Sequence, residues 1–124
     1  MISKNIIKAI TALIKPACGA VYFGISPVKY PKICCDLREL TNDGCKHSFR
    51  LVLDFYSNDG DYPAGLDMAD AVRGLLTSQH GDVDGGYMTI YPDGSRYITP
   101  EKDNEKIVHI TEGYAVYFYD REEQ

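Results

Sequence analysis

The chain has no tryptophan, no long apolar run and no cluster of basic residues. A membrane-spanning helix needs about 20 consecutive apolar residues, and no stretch approaches that. The opening segment "MISKNIIKAITALIKP" does not read as a secretory leader, because Lys4, Asn5, Lys8 and Lys15 interrupt it with helical period. A soluble intracellular protein, without membrane contact, is the expectation. Thirteen Lys and Arg against eighteen Asp and Glu give a net charge of −5, and the basic residues are scattered singly. That excludes a surface whose main task is to hold nucleic-acid phosphates, and no sequence-specific nucleic-acid binding is expected. A C-x-x-C pair is also missing, which argues against a zinc site. Cys18, Cys34, Cys35 and Cys45 are read as free thiols, since neighbours such as Cys34 and Cys35 on one strand face opposite sides.

Catalytic signatures are lacking too. "DGSRY" has no second Gly for a nucleophile elbow. "GDVDGG" is acidic where a phosphate loop would need to attract anions. His47, His80 and His109 have no ligand spacing and read as surface or capping residues. Asp54, Asn58, Asp59, Asp61 and Asp67 crowd the stretch "DFYSNDGDYPAGLD", but a calcium loop fails in either register. Counted from Asp54, position three is Tyr56 and position six is Asp59; counted from Asn58, positions three and five are Gly60 and Tyr62. The stretch reads instead as a strand-to-helix turn. Asp82 and Asp84 supply half of a magnesium site with no partner, and read as a solvated loop. No catalytic residue, cofactor or metal is therefore expected, and the protein is not read as an enzyme.

Hydrophobic period supplies the positive content. Ile6, Ile7, Ile10, Leu13 and Ile14 form one stripe of a helix over 3–15, stopped by Pro16. Residues 20–24 form a short extended piece, and 25–32 an irregular loop with two prolines. Strands are predicted over 32–39 and 46–57, where Phe49, Leu51, Leu53 and Phe55 alternate with Ser48, Arg50, Val52 and Asp54. "TNDG", 41–44, is the hairpin turn between them. A second helix is predicted over 63–80, with Gly74 approaching the sheet closely and Gly81 ending it. Residues 81–86 read as a flexible acidic loop, and 87–91 with 95–98 as a hairpin around Pro92-Asp93-Gly94. A long strand covers 106–119, with a bulge or bend at Gly113 and a solvated tail after it.

The economical architecture is one domain over 1–124 in the α+β class, a single mostly antiparallel sheet with both helices packed on one face. The other face then carries Tyr56, Tyr117 and Tyr119. Ten tyrosines favour either a protein-contact surface or ordinary strand propensity.

"VYFGISPVKYPKI", "HSFRLVLDFYSNDGD", "AGLDMADAVRGLLT" and "ITEGYAVYFYDRE", together with the first amphipathic helix, span about residues 4–120. In this order they resemble the tail completion proteins of phages and prophages, also called tail terminators or head–tail joining proteins. Lys32 after Tyr30-Pro31 and the acidic loop 81–86 depart from the family's pattern. The resemblance implies a virion structural protein of the tail or neck, made in the cytoplasm of the bacterial host. It implies a homo-oligomeric ring, commonly of six, that caps the tail tube and meets the tail tube protein and the head connector or head-completion protein. Tyr56, Asn58, Asp59, Asp61, Tyr117 and Tyr119 are the expected interface. Asp59, Asp61, Asp82 and Asp84 are candidates to face the central channel, where they would repel DNA; plain solubility is the competing explanation. The alternatives are a small soluble α+β enzyme or ligand-binding domain, and a host-directed module that binds through its tyrosine face.

Overall fold

The computed structural model describes residues 2–27, 29–57, 62–77, 79–83, 85–94, 96–100 and 107–120. Among them the chain forms two helices and seven strands. These are α1 (Ile2–Ile14), β1 (Val21–Phe23), β2 (Lys32–Asp43), β3 (Lys46–Ser57), α2 (Tyr62–Leu76), β4 (Gln79–Val83), β5 (Gly86–Pro92), β6 (Tyr97–Pro100) and β7 (Val108–Asp120). In α1 the stripe is real: Ile6, Ile10 and Ile14, four apart, are fully buried. Its end is closed by Lys15 N–H donating to the Thr11 carbonyl at 3.1 Å and Cys18 N–H to the Ile14 carbonyl at 3.3 Å.

The sheet order is β1-β2-β3-β7-β5-β4, with β6 also paired to β7. β7 is the spine. One edge pairs with β3 along its length, and the other pairs first with β6 and then with β5. The other strand pairs are antiparallel, but β1 runs parallel to β2, with Val21 opposite Ile33 and Phe23 opposite Cys35.

This corrects the expected class. Strands take up 53% of the described residues in a curled sheet of mixed direction, so the protein is mostly β rather than α+β built on a single mostly antiparallel sheet carrying both helices. The helices differ in placement as well. α2 packs on β3, β5 and β7, whereas α1 packs on α2 and meets the sheet at β4.

Much of the extra strand content lies where a helix end and a flexible loop were expected. α2 stops at Leu76, and residues 79–83 form an edge strand on β5. Val83 pairs with Gly86, and at the turn between them Gly85 has φ +89°. A left-handed residue at such a turn matches the twist of the flanking strands. In the β2–β3 hairpin the strands continue through Asp43 and Lys46, so the turn is Gly44-Cys45, with Gly44 at φ +67°.

No hairpin joins β5 to β6. Both run antiparallel to β7 along the same edge, as one strand interrupted by an excursion at 93–96. Asp93 N–H donates to the Gly113 carbonyl at 2.9 Å, folding the excursion over β7. β7 itself keeps an unbroken register with β3 through Gly113, so the expected bulge is absent there. Gly113 is needed for space instead: a Cβ would stand 2.6 Å from the Asp93 carbonyl oxygen and 2.8 Å from Arg50 Nη2. The bulge lies in β2, where the register shifts between Glu39 and Thr41 and Leu40 is left over. Gly74 has open space around it; Gly65 is the helix glycine pressed on the sheet, near Ile110 and Ser57.

Alternation divides the sheet into two faces. Leu51, Leu53, Phe55, Ile110, Tyr114, Val116 and Phe118 are fully buried with the helix stripes. Each large side chain of this kind contributes about 1.5–3 kcal/mol on burial. The opposite face is only half covered and carries the candidate site.

Candidate interaction surface

Register sets the rows of the half-covered face, because residues directly opposite on antiparallel strands point to one side. One row is Lys32, Tyr56, His109 and Thr99; the next is Cys34, Asp54, Thr111 and Tyr97. Further along come Arg50, Ala115 and Tyr91, then Ser48, Tyr117 and Thr89, then Lys46, Tyr119 and Tyr87. Six of the ten tyrosines thus line one face, although Tyr56 and Tyr119 are 63 positions apart in sequence.

Two interaction networks occupy it. In the first, Asp54 Oδ1 lies 2.8 Å from His109 Nε2 and accepts from the Thr111 hydroxyl at 2.8 Å. Burial works against the charged carboxylate, but these hydrogen bonds and the imidazole's charge outweigh it and hold Asp54 below the ordinary carboxylate range. The His109 ring stacks on Tyr56 with centroids 4.4 Å apart. Lys32 continues the network. Its Nζ lies 5.3 Å from both the Tyr30 and Tyr56 rings and donates to Ser26 Oγ and the Pro27 carbonyl, each at 3.0 Å. A lysine only 8% exposed is tolerable because those two acceptors and two ring faces replace water.

The second network lies toward the β2–β3 turn. Lys46 Nζ stands 5.1 Å from the Tyr117 ring and 5.9 Å from the Tyr119 ring. Tyr91 and Tyr117 meet at 6.3 Å in a tilted arrangement. Arg50 Nη1 donates to Asp93 Oδ2 at 2.8 Å, which ties the excursion at 93–96 to this face. Tyr91, Tyr97 and Tyr119 remain exposed. Large rings with polar tips, held by cations at their faces, suit contact with another protein.

Of the expected interface residues, the structure brings Tyr56, Tyr117 and Tyr119 onto this one face. Asn58, Asp59, Asp61 and Asp84 lie outside the described residues. Asp82 is exposed on β4, at the opposite edge of the sheet from β1. The four cysteines are free thiols, with Cys35 buried and Cys45 exposed. His47 is not a surface residue: it is 5% exposed, packed 6.1 Å from the Phe118 ring, with Nδ1 3.6 Å from Glu39 Oε2. Among the described residues, no group of three His, Cys, Asp or Glu side chains could hold a metal, and no helix is long and apolar enough to cross a membrane.

Glu112 belongs to no catalytic or metal-binding motif of the sequence. It is 1% exposed on the core face, bound by Arg96 Nε at 2.7 Å, Arg73 Nη2 at 3.1 Å and the Tyr114 hydroxyl at 3.0 Å. Arg96 also reaches Asp70 at 2.7 Å. Burial, with the Glu112 charge beside it, pushes the Tyr114 hydroxyl well above its ordinary range. Parity was the available signal, since Glu112 shares its row with Ile110 and Tyr114.

Asp54 and His109 could exchange a proton, but the cavities beside α1 and near the start of α2 are lined by neither. The pair stands on an open sheet face. No protein-family model matches the chain, and no curated protein matches it. Its fold is similar to that of a chain in a virion. That solved structure is the virion of a native gene transfer agent (GTA) particle, with TM-score 0.65 and 13% identity over 89% of this chain and 84% of that one. At such identity the likeness is one of backbone, and residue roles do not carry across.

Proposed function

We propose that the protein is a structural subunit of a phage or prophage virion, a tail completion protein rather than an enzyme. In this reading it forms a homo-oligomeric ring, commonly of six, at the head-proximal end of the tail tube. There it caps the tube and joins it to the head connector or head-completion protein. Its place is the tail or neck of the particle, after synthesis in the host cytoplasm.

The observation that carries the proposal is the fold shared with a GTA virion chain along almost the whole length. The tyrosine-lined face supports it, because subunits of a closed ring must present contact surfaces to their neighbours. Tyr56, Tyr117 and Tyr119 then serve contact, and Asn58, Asp59 and Asp61 are assigned the same role. Asp59, Asp61, Asp82 and Asp84 face the channel or its rim, keeping DNA phosphates from adhering.

Light scattering and negative-stain microscopy of the purified protein, alone and with tail tube subunits, test this. Rings, or tubes blunted at one end, are expected. A protein that stays single in both mixtures, leaving tube growth unchanged, removes the proposal.

A further inference from the structure

Leu40 is the surplus residue of the β2 bulge, and it is 56% exposed. Its surroundings are polar. β1 covers only Ile33 to Cys35 of β2, so the outer edge of β2 from Asp36 onward has no strand partner among the described residues. Asp36, Arg38, Glu39 and Asp43 guard that edge with a net negative charge, as edge strands usually are guarded. A lone exposed leucine would be unremarked on many surfaces; here a matching recess exists elsewhere on the molecule.

The recess is a cavity of about 290 Å³ between α1 and the β4–β5 hairpin. Ala9, Ala12 and Leu13 line it from α1, and Gly81, Asp82, Val83 and Met88 line it from the hairpin. Lys8 and Lys15 flank Ala12 on the exposed side of α1, four residues before and three after it, with Lys4 one turn further. α1 contains no acid, and none of the three lysines pairs with a carboxylate among the described residues.

An apolar knob in acidic surroundings and an apolar recess with lysines along its α1 side complement each other. Within one copy they lie on different parts of the sheet. β3, β7 and β5 lie between β2 and β4, a separation of about 19 Å at roughly 4.8 Å per strand. We propose that Leu40 of one copy enters the recess between α1 and the β4–β5 hairpin of the next, with Glu39 and Asp43 against Lys8 and Lys15. Unlike patches joined in this way propagate head to tail, and close into a ring when the rotation allows. The proposal rests on the assembly role above and names one contact within it.

The test uses Leu40→Cys and Ala12→Cys on separate chains, each in a Cys18→Ser, Cys34→Ser, Cys45→Ser background, oxidised singly and mixed. A disulfide-linked dimer in the mixture, absent from either alone, is expected. Leu40→Ala should weaken self-association by about tenfold, since burial of the side chain contributes about 1.5 kcal/mol or more. Lys8→Glu with Lys15→Glu should also weaken it, and adding Glu39→Lys with Asp43→Lys should restore it; circular dichroism checks that each variant is folded. Assemblies that form with no mixed adduct and ignore the charge swap overturn this contact and leave the assembly role standing. A protein that never assembles, with or without tail tube subunits, overturns both.

Discussion

Arg73 of α2 and Glu112 of β7 meet at 3.1 Å, Nη2 to Oε2, across the helix–sheet boundary. Arg96 holds the same carboxylate through Oε1, so one buried charge ties together the helix, the spine strand and the excursion at 93–96. Removing it takes the buried partner from both guanidinium groups and leaves Arg96 with Asp70 alone, and breaking a buried pair is strongly destabilising. Glu112→Ala is expected to destabilise the protein by about 3 kcal/mol, read from denaturant midpoints at constant m-value. A loss below about 1 kcal/mol, the ordinary worth of exposed pairs, would mean that solvent replaces the carboxylate.

Asp54 gives the fold an acid-sensitive component. Its native carboxyl is held below the usual range, so the charged form stabilises the folded state at neutral pH. That contribution is present above the unfolded value of about 3.9 and is lost as pH falls through the lower native value. Asp54→Asn should lower stability at pH 7 and flatten the decline on acidification. Thermal melts from pH 7 to pH 2.5 measure both; parallel curves for the two proteins would remove the assignment.

The thiols should separate cleanly by reactivity. Cys45 is exposed at the β2–β3 turn, while burial and the neighbouring Cys34 and Asp54 push Cys35 up to about 12. Thiolate is the reactive form. Intact-mass analysis after brief alkylation at pH 8 should find Cys45 modified and Cys35 protected until denaturant is added.

Gly113→Ala tests the crossing of the 93–96 excursion. The added methyl meets a backbone carbonyl rather than the end of a flexible side chain, so the excursion must lift. A destabilisation of about 1–3 kcal/mol is expected. Gly74→Ala on the open side of α2 should be neutral or stabilising, by up to about 1 kcal/mol.

Tyr117→Ser with Tyr119→Ser should reduce assembly while the monomer stays folded. The two rings stand on the half-covered face beside Lys46, away from the helix stripes. Sedimentation velocity paired with thermal unfolding distinguishes the outcomes; collapse of the melting transition would make these residues part of the fold's support.

The parts legible in the sequence were those in which burial follows a simple period. The stripe of α1 and the alternation of β2, β3 and β7 needed no partner to be read. β4 was illegible because "QHGDV" is polar and glycine-containing, and pairing with β5 makes it a strand. Asp84-Gly85 is a hairpin signal, but the acidic composition around it is equally that of a loop. The β5–β6 relation failed for a different reason: a tight-turn sequence can interrupt a strand without reversing it. Likewise Asp54, His109, Tyr56 and Lys32 come together only through the register of β2, β3 and β7, which no single segment contains.

β7 follows every other described strand in chain order, yet it lies between β3 and β5 in the sheet. During synthesis, β2–β3 and β4–β5 can close as local hairpins well before residues 108–120 leave the ribosome. In each, the inner edge that β7 will cover, on β3 or on β5, then stays open, and no half of the sheet is finished on its own. Nascent chains of this protein therefore pass through an interval in which they are open to mispairing, and a premature stop before residue 108 yields two unjoined hairpins rather than a smaller working subunit.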